Sequence, residues 1–414
     1  MILFLKKNRI QFWLLFILAL AMISCLAYKK VELQEPPKEV ITHSEEPTKN
    51  LPIARSNISK IDHTRKSNWQ YTFTKVPSRN SSSTVKILTQ NVWWASSGKS
   101  YYKTKDSGKT WQTLKLPLTK ADKIVAMDFP SENVGWIVSL DDRGEPYEES
   151  KGKTKIFFTS DGGDTWSLQF EADALSVDKI HFVNEQEGWI FGERVEDVKA
   201  RHERSFLLLH TKNQGMEWND ESNKLSQFND ENPYPSVVWA GTIPTKEISF
   251  IERSSGLFTL GVNEEKWQHS MNFPECLPQE IIRPFACLED GRIWSKSGAD
   301  SIEGIWGRIW LMNKDQSWEQ YTINDSVYLA DAILLSENEI VACGAMPRSK
   351  KQYFDVTHRI GLILHSLDGG KSWGIIFQDE KAGHIYSLTK IDERHFIASN
   401  EKGVVLKFEK GEKG

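Results

Sequence analysis

The chain has 414 residues, with 52 basic and 56 acidic side chains and a formal net charge of −4. That near balance excludes the basic footprint a nucleic-acid partner demands, and charges of both signs are mixed along the chain as on a solvated surface. With 16 Trp, 26 Gly and few long apolar stretches, the composition suits many short strands joined by turns.

Residues 1–28 read as an export signal. Lys6, Lys7 and Arg9 form a positive n-region, and an apolar run follows from Phe12 to Ile23. Met22-Ile23-Ser24-Cys25 resembles the bacterial lipoprotein cleavage box, although Met22 stands where Leu, Val or Ile is usual. The resemblance implies that Cys25 becomes the lipid-bearing first residue of the mature protein. An uncleaved anchor is the alternative, because residues 12–28 approach the lower length limit of a spanning helix. Both readings leave the rest of the chain tethered outside the cytoplasm; a freely secreted product is the third. Residues 29–66 are polar and carry Pro36, Pro37, Pro47 and Pro52. They are expected to be a flexible linker spanning about 30–40 Å.

Residues 67–410 are repetitive. A short apolar run after a polar turn recurs around Trp93, Trp136, Trp189, Leu257, Arg292, Ile340 and Phe396. The mean step of about 50 residues fits a four-stranded unit. A second marker, [S/T]-x-D-x-G-x-[S/T]-W, supplies Asp106, Gly108 and Trp111, then Asp161, Gly163 and Trp166, then Asp368, Gly370 and Trp373. A worn copy carries Asn213, Gly215 and Trp218, and decayed copies end in Trp267 and Trp318. In each intact copy the carboxylate can accept backbone N–H bonds within a tight turn, the Gly supplies a conformation a Cβ resists, and the Trp opens the next strand.

This marker resembles the Asp-box, or BNR repeat, of β-propellers such as sialidases, sortilin-type receptors and photosystem II assembly-factor-like proteins. What the resemblance implies is an all-β propeller of four-stranded antiparallel blades, and the seven recurring apolar runs count it as seven-bladed. Six or eight blades are the alternatives, because residues 236–271 are the least regular. The last unit runs out after a third strand, residues 403–408. The missing fourth is expected from Asn68-Trp69-Gln70-Tyr71-Thr72-Phe73, which would close the ring and protect the sheet edges.

Four second-to-third strand loops are long and would rise on the face opposite the Asp-boxes. They and their flanks hold Arg143, Tyr147, Arg194, Arg201, Trp306, Arg308, Arg348 and Tyr353, a mix suited to gripping carboxylates or an acidic peptide. Sialidase chemistry is unsupported: no early Arg-Ile-Pro or Arg-Leu-Pro element occurs, and no Tyr and Glu pair stands out. GxSxG, HExxH and phosphate-binding glycine motifs are missing, and the 10 His are scattered. No cofactor or metal is expected. Among the four Cys, Cys276 and Cys287 are close enough in sequence to bridge in an oxidising compartment, with free buried thiols as the alternative. The blade pattern most resembles the photosystem II assembly-factor-like branch, which implies a non-enzymatic, membrane-tethered protein holding a membrane protein or peptide. The expected function is an extracytoplasmic, monomeric protein- or glycan-binding platform. A glycoside hydrolase or lyase at the ring centre is the alternative, and a structural envelope or adhesion protein the third.

Overall fold

The computed structural model describes residues 54–77, 84–97, 100–119, 122–141, 153–173, 175–195, 204–223, 237–242, 248–252, 256–260, 268–271, 283–288, 292–301, 304–323, 327–348, 359–400 and 402–411. The export signal with Cys25 lies outside them, as does Cys276; Cys343 is a buried free thiol.

Two strands precede the repeats, β1 (Ala54–Asp62) and β2 (Trp69–Lys75). A first antiparallel meander comprises β3 (Thr84–Ile87), β4 (Trp93–Ser97), β5 (Ser100–Thr104) and β6 (Gln112–Leu114). The second is β7 (Asp122–Asp128), β8 (Gly135–Asp141), β9 (Lys153–Thr159) and β10 (Ser167–Asp173). The third is β11 (Leu175–Phe182), β12 (Gly188–Val195), β13 (Arg204–Thr211) and β14 (Asn219–Asp220). The fourth is β15 (Val237–Thr242), β16 (Ile248–Glu252), β17 (Gly256–Leu260) and β18 (Gln268–Met271). The fifth is β19 (Arg283–Cys287), β20 (Ile293–Ser301), β21 (Gly304–Met312) and β22 (Trp318–Ile323). The sixth is β23 (Tyr328–Ser336), β24 (Glu339–Pro347), β25 (Arg359–Ser366) and β26 (Ser372–Asp379). Last come β27 (Ile385–Lys390), β28 (His395–Asn400) and β29 (Val404–Lys410), whose sheet is completed by β2.

The expected pairing of the N-terminal strand with the last unit is present: β2 runs antiparallel to β29, from Trp69↔Lys410 to Lys75↔Val404. Trp69 anchors it, buried among Phe396, Phe408, Leu406 and the third strand of the sixth meander. A charged latch sits beside it. Glu339 accepts bonds from Lys410 Nζ at 2.6 Å and from His365 Nε2 at 2.7 Å.

One expectation fails. The end of the stretch read as linker is strand β1, which pairs in parallel with β22 from Ala54↔Trp318 to Ser59↔Ile323. It then crosses to β26, from Lys60↔Ser372 to Asp62↔Gly374. The fifth and sixth meanders are thereby joined in one nine-stranded mixed sheet. Its main chain caps two outer edges, so it needs little apolar patterning; Ile58 is 73% exposed.

β24 and β25, the second and third strands of the sixth meander, are buried on both faces and read as near-continuous apolar runs. Neighbouring meanders pack through aromatic stacks. Trp94 stacks on Phe129 at 4.1 Å, and Trp136 on Phe182 at 3.4 Å. The Gly preceding Trp136 follows from this packing, because a Cβ on Gly135 would lie 2.1 Å from the Phe129 ring. First strands touch in succession, β7 with β11, β11 with β15, β15 with β19, β19 with β23 and β23 with β27. The last sheet packs on the first through Ile397 and Val405 against Trp93 and Tyr102. The result is all-β, made mostly of four-stranded antiparallel sheets.

The recurring turn is geometrically uniform. Asp161 accepts bonds from Thr165 N at 2.9 Å, Thr165 Oγ1 at 2.6 Å and Thr159 Oγ1 at 2.8 Å. Asp106 and Asp368 repeat the set. Two successive residues adopt the left-handed region, Gly162 and Gly163 in one copy, Ser107 and Gly108 in another, Gln214 and Gly215 in the worn one. The Asp-Gly-Gly sequence of the best-formed copies therefore answers to two positive φ angles.

Candidate functional site

Arg143, Tyr147, Arg201 and Tyr353 lie outside the described residues. Trp306 is on β21, opposite Ala299 of β20, and its side chain is not among those described. The remaining three arginines are each tied within their own sheet. Arg194, near the end of β12, pairs with Asp220 of β14 at 2.5 Å. Arg308 of β21 donates to Thr322 Oγ1 of β22 at 3.3 Å. Arg348, after β24, lies 3.4 Å from the Glu380 carboxylate and donates to its carbonyl at 3.3 Å. These contacts place the three on separate meanders, each with a partner of its own.

Sequence reasoning missed two features. The first is a charged cluster on first strands. Lys86 of β3 bonds Asp128 of β7 at 2.6 Å, and Asp128 also accepts the Phe182 amide of β11 at 2.8 Å. His181 Nδ1 approaches the same carboxylate at 3.7 Å. Burial pushes the His181 imidazole and the Lys179 ammonium below their ordinary values. Across the next-to-last interface, burial pushes Lys296 down to about 8 and Asp331 upward. Asp331 is held there by the amides of Ala332 at 2.9 Å and Leu388 at 2.8 Å. These contacts join neighbouring sheets, so the cluster works as a polar seam.

The second feature is an open groove of about 800 Å³ at the ring-closing seam. One wall is β2, from Gln70 to Thr74. The other is the turn of the first meander, from Lys105 to Lys109. Val405, Lys407 and Glu409 of β29 complete the lining together with Trp93 and Asn91. The groove face of the strand carries Gln70, Thr72 and Thr74; Tyr71 (49% exposed) and Phe73 (74% exposed) alternate to the other face, where Tyr71 packs on Phe377 at 5.2 Å and Phe408 at 5.4 Å. Thr74 Oγ1 donates to Gly108 O at 2.6 Å and pins the turn to the strand. Hydrogen bonds from the Thr110 hydroxyl and amide hold the Asp106 carboxyl down to about 2, so it stays anionic and engaged in its own turn. Lys105, Lys109 and Lys407 are the cations of the site. The groove includes one of the recurring turns, whereas the sequence directs attention to the loops on the other side.

Comparison with known proteins supports the architecture. The family model Sortilin-Vps10, described as sortilin, neurotensin receptor 3, matches residues 57–239. A structure of YCF48 bound to a D1 peptide superposes with a TM-score of 0.57 at 17% identity, covering 85% of this chain and 99% of that one. YCF48 from Cyanidioschyzon merolae gives 0.54 at 14% identity, covering 81% and 98%. The GH74 enzyme of Niastella koreensis gives 0.52 at 13% identity, covering 81% of this chain and 53% of the enzyme. No curated protein sequence matches the chain significantly. Identities this low speak for the fold alone. The class they and the sheet topology define is the β-propeller.

Proposed function

We infer that the chain is a binding platform for a segment of another polypeptide, built as a seven-bladed propeller that β2 closes. The observation that carries this reading is the groove beside β2, whose outer edge is unpaired among the described residues. A polypeptide suits it better than a glycan, because a strand edge offers alternating N–H and C=O groups at the spacing of another backbone. The structural likeness to a YCF48 that holds a D1 peptide lends support at the level of fold. The amino-terminal sequence further supports export and tethering through Cys25, with the propeller held outside the cytoplasm.

The test is photo-crosslinking from single positions of the full chain in its native envelope. A benzophenone side chain at position 73 is expected to join one defined partner segment, and the same probe at Leu168 on β10 is not. Equal products from both positions, or crosslinks only from positions 194 and 348, would move the surface away from the groove.

A further inference from the structure

We propose that the free edge of β2 takes up an extended, acidic segment of a partner polypeptide as a fifth strand of the last sheet. The proposal rests on the binding-platform reading above and adds to it the mode of docking and the chemistry of the guest.

The chain itself shows the mode at an equivalent place. β22 is the fourth strand of its meander, and its outer edge is filled by β1 running parallel over six register pairs, Ala54↔Trp318 to Ser59↔Ile323. β2 is likewise the fourth strand, in the order β2-β29-β28-β27, and it is terminal in that sheet. The two edges also meet the following turn in the same way. Ser59 Oγ of β1 donates to Gly370 O at 2.5 Å, and Thr74 Oγ1 of β2 donates to Gly108 O, the matching glycine, at 2.6 Å. At the seam β2 thus makes for itself the bond that β1 makes in the fifth-to-sixth junction. A guest on β2 is therefore expected to end near Thr74 and not to cross to the next sheet as β1 does.

The hydrogen bonds of β2 fix which groups are on offer. Gly411 N donates to Asn68 O and Val76 N donates to Gly403 O, so even-numbered residues of the strand face β29. By the alternation of an antiparallel ladder, the N–H and C=O groups of Tyr71, Phe73 and Lys75 point to the free edge. Consistently, Trp69 N bonds the Ser67 hydroxyl instead of β29. A guest of about five to seven residues matches this length at roughly 3.3 Å per residue.

Charge selects the guest. Lys105, Lys109 and Lys407 line the groove against two carboxylates, Asp106 and Glu409. Asp106 is occupied by Thr104 and Thr110, and Glu409 has His395 Nε2 at 3.7 Å. The three ammonium groups are left to face an incoming strand, which favours Glu or Asp at alternate positions.

The probe is a fluorescein-labelled heptapeptide alternating valine with glutamate and threonine, titrated against the full chain by fluorescence anisotropy. A counterpart with lysine for glutamate serves as comparison. The acidic peptide is expected to bind at least tenfold tighter, and Lys105→Glu with Lys109→Glu is expected to erase that preference. Phe73→Pro removes an outward N–H but no ladder bond, so it is expected to weaken binding at least tenfold with the unfolding midpoint kept. Should that variant unfold, an acidic peptide N-methylated at alternate amides asks the same of the unmodified chain, and full binding would overturn the proposal. Equal affinity for both peptides would overturn it as well. So would a concentration-dependent dimer abolished by Lys105→Glu, which would assign the edge to a second copy. Failure here with retained crosslinking at position 73 refutes strand addition and leaves the platform reading standing; loss of both refutes the two together.

Discussion

Trp69→Ala probes the closure of the ring at the residue that carries most of it. The indole is 7% exposed. Its ring lies 4.9 Å from Phe396 and 5.8 Å from His365, with Lys410 Nζ 5.8 Å from its centroid. Truncating a buried aromatic of this kind costs about 3–5 kcal/mol in lost transfer energy and cavity, and the lost cation–π contact about 0.5–1 kcal/mol. Beyond its ladder with β29, β2 is held by half-exposed Tyr71 against Phe377 and Phe408 and by the Thr74 bond to Gly108, so Trp69 is its one deeply buried aromatic anchor. The expected loss is therefore about 4 kcal/mol in equilibrium urea unfolding followed by far-ultraviolet circular dichroism. Phe73→Ala, on the same strand at 74% exposure, is expected to stay within about 0.5 kcal/mol. A loss below about 1 kcal/mol for Trp69→Ala would refute the idea that β2 belongs to the cooperative fold.

Four further outcomes follow from the turns and the amino terminus. Hydrogen bonds from Thr110 and Thr165 lower Asp106 and Asp161 from 3.8 to about 2, so their contribution is complete above the ordinary carboxylate range and is lost as pH falls through about 2. Acid titration of the unfolding midpoint is expected to show a decline between those limits that Asp161→Ala diminishes; an unchanged slope would refute this. Gln214→Gly is expected to raise stability by about 0.5–1 kcal/mol, because a left-handed non-glycine residue is relieved while glycine's entropy offsets part of the gain. Ser107→Gly is expected to gain less, since the Ser107 hydroxyl bonds to Gln90 O and Asn91 Oδ1 are lost; equal gains in the two variants would count against that assignment. Cys25→Ala is expected to block processing of the amino terminus, and unchanged electrophoretic mobility would contradict lipidation.

The sequence made legible what repeats and what is buried. The turn around Asp161 could be found because its chemistry is local, needing positive φ, and the run at Trp136 because it recurs as an apolar stretch, although its stacking partner Phe182 lies on the next sheet. The pairing of β2 with β29 was legible because the last unit lacked a fourth strand. β1 was not, since Ala54–Asp62 pairs through its main chain and leaves Ile58 in solvent, without an amphipathic signature. The groove was hidden for a related reason: an edge is defined by what fails to pair with it, and no residue type announces that. Arg194 and Arg348 looked free in the sequence because their carboxylate partners, Asp220 and Glu380, are 26 and 32 residues away. The polar seam at Asp128 depends on Lys86 and Phe182 from two other sheets, a conjunction set by topology.

Amide-resolved hydrogen exchange along β2 tests most directly whether one edge of that strand closes the ring while the other stays open for a guest. In the free chain, the amides of Gln70, Thr72 and Thr74 are expected to be protected and those of Tyr71, Phe73 and Lys75 to exchange fast. Adding the acidic strand peptide is expected to slow the second set alone. Uniform protection along β2 in the free chain, or no change on adding the peptide, would contradict it.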